Sequence, residues 1–142
     1  MGRAVVDATV VIAFADTEDE DHERGAEIVR EIDHGHLVTG VIVHEALVEI
    51  LNLLNERKGH RKAAALLELL EESAHYRLPP NPTGNTGVGR GLFRQRSALS
   101  LGDAMQVAFM RSEGIEYVYS FDDDFDTIPG ITRLNAAENP FV

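Results

Sequence analysis

Four acidic residues stand where an α/β chain gathers side chains at one end of its sheet. Asp7 follows the first strand-like run, and Asp122 follows a late one. Glu45 and Asp103 stand near the starts of two helical runs. Carboxylates grouped without a thiol or a basic catalytic group favour a hard divalent cation. Because such a cation activates water toward phosphate esters, these acids predict a metal-dependent hydrolase of phosphate esters.

The elements that must position these acids alternate between strand-like and helix-like patterns. Short apolar runs predict strands at residues 3–6, 36–39, 75–78, 116–120 and 130–134. Apolar residues with helical spacing predict helices near residues 8–15, 25–32, 47–55, 63–70 and 101–108. Such strands pair in parallel through right-handed crossovers, so the chain is predicted to be an α/β protein, a three-layer α/β/α sandwich.

Length and composition limit the classes of protein. The 142 residues, 44% of them hydrophobic, suit one domain that covers residues 1–142. The absence of Cys excludes disulfides, thiolate zinc sites and a Cys nucleophile. No apolar run has the length of a membrane span, and no cleavable N-terminal segment is recognisable, so we expect a soluble, cytoplasmic protein with no membrane partner.

The charge balance gives two opposing indications about partners. A net charge of −11 counts against a nucleic-acid substrate, because polyanions are normally met by Lys and Arg. Only two lysines occur, and an acidic, Lys-poor, Cys-free composition resembles that of proteins from salt-loving organisms. One stretch differs, since Arg90, Arg94 and Arg96 surround Phe93 without an intervening acid. This stretch is interpreted either as a phosphate-contacting arm or as a solvated loop.

The segment before those arginines interrupts the helical pattern. Residues 81–91 contain four glycines and a proline, which predicts a mobile loop. A Walker phosphate loop is rejected because Arg90 and Gly91, rather than Lys and a hydroxyl residue, follow Gly89. The acidic run at 16–23 is predicted to begin the second helix. Its side chains would lie in solvent, where the helix dipole favours negative charge at the N-terminus.

Each candidate acid also has a purely structural interpretation. Asp7 can cap the first helix, Ser100 and Asp103 have capping-box spacing, and Asp122 stands in an Asp-rich turn. Taken singly, each acid favours that interpretation. Their joint placement favours a site, because ligands of open α/β sheets bind beyond the carboxyl ends of the strands.

Four short motifs carry a resemblance to a known family. They are Asp7-Ala8-Thr9-Val10, Glu45 within residues 42–47, Asp103 within residues 99–104, and residues 120–125 followed by Ile128-Pro129-Gly130. Each motif is weakly specific, but the four in this order resemble the PIN domain family over nearly the whole chain. The VapC-type toxins of toxin–antitoxin pairs are the relatives that the motifs suggest.

The resemblance implies a five-stranded parallel sheet in the order 3-2-1-4-5 and a Mg²⁺- or Mn²⁺-dependent endoribonuclease that acts on RNA. It also implies a cognate antitoxin protein and a homodimer. The family's catalytic and metal-binding acids are matched by Asp7, Glu45, Asp103 and Asp122. Its supporting hydroxyl positions are matched by Thr9 and Ser120. Further candidate carboxylates are Asp124, in a supporting role, and Asp126. Residues 81–91 depart from the family pattern, which usually has a helix there.

Two other classes of phosphate-handling α/β protein require residues that this chain lacks. A response-regulator receiver needs a late Lys, and none follows Lys62. A haloacid-dehalogenase-type phosphatase needs Asp-x-Asp, and Thr9 occupies the second position. A catalytically inactive PIN-like module that binds RNA or protein remains an alternative function.

Leu53 and Leu69 lie off the principal apolar faces of their helices, which indicates an interface and supports a homodimer.

Overall fold

The computed structural model describes residues 2–142, in which five strands and six α-helices alternate along most of the chain. The strands are β1 (Arg3–Val6), β2 (Thr39–Val41), β3 (Tyr76–Arg77), β4 (Tyr117–Tyr119) and β5 (Thr132–Leu134). The helices are α1 (Ala8–Ala15), α2 (His22–Asp33), α3 (His44–Lys58), α4 (His60–Glu72), α5 (Thr83–Gln95) and α6 (Leu101–Glu113). A 3₁₀ helix at Asp123–Thr127 separates β4 from β5.

The strands form one parallel sheet in the order β3-β2-β1-β4-β5, which confirms the predicted topology. Adjacent residues of β1 point to opposite faces, and Val5 and Val6 are both fully buried, so helices cover both faces of the sheet. The chain proceeds from β1 to β2 on one side and later returns to β4 on the other. The order therefore reverses between β1 and β4. No helix within residues 2–142 is long and apolar enough to cross a membrane.

The prediction of a loop at residues 81–91 was wrong, because Thr83–Gln95 is a regular helix, α5. Its buried stripe consists of Asn85, Gly89 and Leu92, and it packs against α6. A Cβ at Gly89 would collide with Met105, so glycine allows the close approach of the two helices. The apparent departure from the family pattern disappears, because tertiary packing overrides the low helix propensity of glycine.

The starts of α2 and β2 also differ from prediction. The second helix, predicted to begin in the acidic run at 16–23, begins only at His22, so Glu23 lies in its first turn and the earlier acids of the run form turns. In these turns the carboxylate of Asp16 accepts from Glu18 N, and that of Asp19 accepts from Asp21 N. Strand β2 begins at Thr39 instead of residue 36, because its partner β1 begins opposite it at Arg3.

Candidate metal centre at the carboxyl edge of the sheet

The ends of β1 and β4 bring Asp7 and Ser120 together. Asp7 directly follows β1 and Ser120 directly follows β4, and these strands are neighbours in the sheet. The backbone N–H of Asp7 donates to Tyr119 O at 2.9 Å, which extends the pairing by one residue. The reversal of strand order lies here, at the position where open α/β sheets form a ligand crevice.

Asp7 is 2% exposed, and its carboxylate is held by three side-chain donors. The hydroxyls of Thr9 and Ser120 donate to its Oδ2 at 2.8 and 2.7 Å, and Gln106 Nε2 donates to its Oδ1 at 2.9 Å. Asp7 has the position of an N-cap before α1, yet its side chain makes no capping hydrogen bond. Capping therefore does not explain this carboxylate.

Asp103, Asp122 and Asp124 bring one carboxylate oxygen each within 4.8 Å of the others. Asp103 is presented by the capping box of α6, in which Ser100 Oγ accepts from Asp103 N at 3.1 Å. Asp122 precedes the 3₁₀ helix, and its Oδ1 accepts from Asp124 N at 3.0 Å. The predicted capping role of Asp103 and the predicted turn role of Asp122 are therefore confirmed. The same local structure fixes the direction of both carboxylates.

These three acids are named here the aspartate triad (Asp103, Asp122 and Asp124), and burial and neighbouring carboxylates raise the pKa of Asp103 and Asp124. Burial, together with the negative charges of Asp7 and Asp122, raises the pKa of Asp103 from 3.8 to about 7. The charge of Asp122, followed by burial, raises the pKa of Asp124. The donor set consists of oxygen atoms only, which hard divalent cations prefer. The residues present therefore fit Mg²⁺ or Mn²⁺.

Two of the three glutamates of α3, Glu45 and Glu49, have different surroundings. Both carboxylate oxygens of Glu45 lie 3.1 Å from the amide nitrogen of Asn81, which also donates to Met105 O on α6. Among residues 2–142, Glu45 is not one of the acids whose carboxylate oxygens come within 4.8 Å of one another. Burial, followed by the charges of Asp7 and Asp122, raises the pKa of Glu49, so this side chain faces the site. Sequence reasoning missed Glu49, although its position four residues after Glu45 places both on one helical face.

Gln106 is the other residue that sequence reasoning missed. It lies three residues after Asp103 on α6, a spacing that places both side chains on one face of the helix. A polar residue within the otherwise apolar stretch 104–110 is the sequence signal that could have found it.

The three arginines predicted to bind RNA lie on α5 and just after its end, not on a loop. Arg90 and Arg94 are exposed and share a helical face, and Arg96 is half-buried. Within residues 2–142 none of the three side chains forms a hydrogen bond or an ion pair. Phe93 beside them is 48% exposed. Their guanidinium groups are therefore available to a ligand.

Together, the fold and the site define an α/β protein with a group of carboxylates at the switch point of a parallel sheet. The PIN domain model matches residues 4–131, so the chain belongs to the PIN domain family. No curated protein sequence matches the chain significantly.

Solved structures with the same fold include VapC20 of Mycobacterium tuberculosis, which is described as a sarcin–ricin loop cleaving toxin. It has a TM-score of 0.74 and 24% sequence identity, and the match covers 87% of this chain and 92% of that chain. VapBC2 of Rickettsia felis, bound to a DNA fragment from its promoter, has a TM-score of 0.71 and 10% sequence identity. The match covers 94% of this chain and 98% of that chain. A toxin–antitoxin complex from Klebsiella pneumoniae has a TM-score of 0.62 and 15% sequence identity, and the match covers 91% of this chain and 95% of that chain.

Proposed function

We propose that this PIN-domain protein is a Mg²⁺- or Mn²⁺-dependent endoribonuclease and the toxin of a toxin–antitoxin pair. The observation that carries the proposal is the convergence of Asp103, Asp122 and Asp124 within 4.8 Å, beside the buried Asp7. Family membership and the fold shared with VapC20 support the same conclusion.

In this proposal the aspartate triad holds the cation, and Asp7 and Glu45 complete the acidic surroundings. A cation held by these residues would supply polarisation of the phosphodiester and activation of a water for attack at phosphorus. Thr9 and Ser120 keep Asp7 in place through their hydroxyl groups. Because its pKa is about 7, Asp103 must release its proton before its carboxylate can act as a ligand at neutral pH. The chain provides no Cys, and the mechanism requires no protein nucleophile.

The substrate of the proposed enzyme is RNA, and α5 is its proposed contact surface. Residues 73–102 contain no Asp or Glu and four arginines, in a chain whose net charge is −11. The unpaired Arg90 and Arg94 on this helix suit phosphate groups, and the exposed Phe93 suits stacking of an unpaired base. Phosphate contacts of this kind position a strand without reading its sequence.

Two protein partners belong to the proposal. An antitoxin is proposed because a similar structure, from Klebsiella pneumoniae, is a toxin–antitoxin complex. A second copy of the chain is proposed because Leu69 on α4 is 37% exposed beside a groove of about 390 Å³ that Phe14, Leu54 and Leu66 also line. Leu53 packs against the core and does not contribute to this exposed surface. Co-purification with the product of the adjacent gene tests the antitoxin.

The proposed activity is tested by incubating the purified chain with end-labelled RNAs in Mn²⁺, in Mg²⁺ and in EDTA. We expect internal cleavage with either cation and none in EDTA. Asp122→Asn should abolish cleavage, whereas Asp123→Asn, which removes the neighbouring exposed acid outside the triad, should retain it. Metal-independent cleavage, or full activity in Asp122→Asn, would contradict the proposal. RNA binding without cleavage by the wild type would instead support the inactive module.

A further inference from the structure

Gln106 contacts the acidic site from the middle of α6. Its side chain is 2% exposed, and its Nε2 donates a 2.9 Å hydrogen bond to Oδ1 of Asp7. Asp103 lies one turn earlier on the same helix. The helix that presents one acid of the site therefore also holds another.

Gln106 has a distinct part in orienting the carboxylate of Asp7. The hydroxyls of Thr9 and Ser120 both donate to Oδ2, whereas within residues 2–142 Gln106 is the only side-chain donor to Oδ1. Rotation of the carboxylate about its Cβ–Cγ bond moves both oxygens together. The donor at Oδ1 therefore adds to the restraint that the two donors at Oδ2 provide, and it acts on the opposite side of the group.

The carbonyl end of the Gln106 amide indicates why a polar residue occupies this position. Its Oε1 is buried and has no hydrogen-bond partner. Such an unpaired buried acceptor is unfavourable, and an apolar side chain of similar length would avoid it. Only one other buried side-chain atom within residues 2–142 is unpaired, namely Oδ1 of Asn81, whose amide nitrogen contacts Glu45. Both unsatisfied amides therefore donate to a candidate site acid.

We infer that Gln106 is a positioning residue of the metal centre, which orients Asp7 toward a cation held by the aspartate triad. This inference rests on the proposed metal-dependent function. Groups that hydrogen-bond to metal-binding carboxylates hold them in a productive direction, and their loss typically lowers metal affinity about 10- to 100-fold. Gln106 has this relation to Asp7, and packing alone does not require an amide at its position.

The test compares Mn²⁺ binding to the intact wild-type chain, Gln106→Met and Gln106→Asn, measured by titration calorimetry. Met keeps the length of the side chain without a donor, and Asn keeps an amide that is one methylene too short to reach Asp7. Asn85→Leu is the matched control, because Asn85 is also buried and donates to α6, but at Ser112, away from the acids. Thermal unfolding of each metal-free variant separates loss of fold from loss of metal affinity.

We expect both Gln106 variants to bind Mn²⁺ about 10- to 100-fold more weakly while remaining folded, and cleavage to recover at saturating Mn²⁺. Asn85→Leu should lower the unfolding temperature without changing Mn²⁺ affinity. Wild-type Mn²⁺ affinity in Gln106→Met, or in Gln106→Asn if the first variant does not fold, would overturn the inference and leave the proposed function intact. Failure of the wild type to bind Mn²⁺ would overturn the proposed function itself.

Discussion

The hydroxyl group of Ser120 donates a 2.7 Å hydrogen bond to Oδ2 of Asp7, although 113 residues separate the two in the chain. The same hydroxyl oxygen accepts from the backbone N–H of Asp122 at 2.9 Å. One side chain therefore connects the end of β1 to the segment that carries Asp122 and Asp124. The pairing of β1 with β4 sets the spacing of the acids before any cation binds.

Asp7→Asn should lower Mn²⁺ affinity at least about tenfold, and RNA cleavage with it, because a charged carboxylate beside the triad is lost. Folding should change by less than about 1 kcal/mol, since the shape is retained and Gln106 can rotate so that its unpaired Oε1 accepts from the new amide. Calorimetric Mn²⁺ titration and urea unfolding measure the two effects. Wild-type Mn²⁺ affinity would exclude Asp7 from the site.

The contribution of Asp103 to the stability of the metal-free protein should fall as the pH rises from about 4 to about 7. Burial and the charges of Asp7 and Asp122 raise the pKa of Asp103 from 3.8 to about 7, so in this range the folded state binds a proton that the unfolded state has lost. The contribution of Asp103 to the free energy of unfolding therefore decreases with pH. Urea unfolding in EDTA across this range measures it.

Asp103→Asn is the control for that pH dependence. Its unfolding free energy should depend less on pH, because the titrating carboxyl is absent. Saturating Mn²⁺ should stabilise the wild type most at neutral pH, where Asp103 can ionise. A pH profile of the metal-free wild type identical to that of Asp103→Asn would show that this carboxyl does not titrate in the range.

The glycines of α5 should respond in opposite directions to replacement by alanine. A Cβ at Gly87 or Gly91 meets no atom within 4 Å, so each Gly→Ala change should stabilise the protein by about 0.5–1 kcal/mol through helix propensity. Gly89→Ala should destabilise it by about 1–3 kcal/mol, because the new methyl group collides with Met105. Urea unfolding of the three variants gives these values. Stabilisation by Gly89→Ala would contradict the packing of α5 on α6.

Arg90→Glu combined with Arg94→Glu should weaken RNA binding across sequences and leave Mn²⁺ affinity unchanged, because both exposed guanidinium groups lack partners within residues 2–142. Filter binding at one stated salt concentration measures the effect, since phosphate contacts weaken with salt. Arg61→Glu with Lys62→Glu, on α4, introduces the same charge change elsewhere as a control. An equal loss in both double variants would indicate only a general electrostatic effect.

Leu69→Gln should shift the proposed homodimer toward monomer, because it places a polar group on the exposed apolar surface beside the groove of α4. Light scattering at micromolar concentration and high salt measures the mass. Leu101→Gln changes an equally apolar, 46% exposed residue at the start of α6 and should leave the mass unchanged. Wild-type protein that is monomeric under these conditions would remove this interface.

The amino-acid sequence alone determined the alternation of strands and helices and the parallel sheet, because apolar periodicity and turn residues are local properties. It also indicated Asp103 and Asp122 through their places after a capping residue and a strand. Gly59 separates α3 from α4 with a φ of 93° that favours glycine. These features depend on a few neighbouring residues.

Only the tertiary structure decided the remaining features, because they depend on contacts between distant segments. The packing of Gly89 against Met105 makes α5 a helix despite its glycines. Asp124 brings a carboxylate oxygen within 4.8 Å of those of Asp103 and Asp122, while Glu45 is held by Asn81. The hydrogen bond from Gln106 to Asp7 spans 99 residues, and no local pattern encodes such a distance. Hydrogen bonding and charge repulsion among side chains on different elements are properties of the folded chain alone.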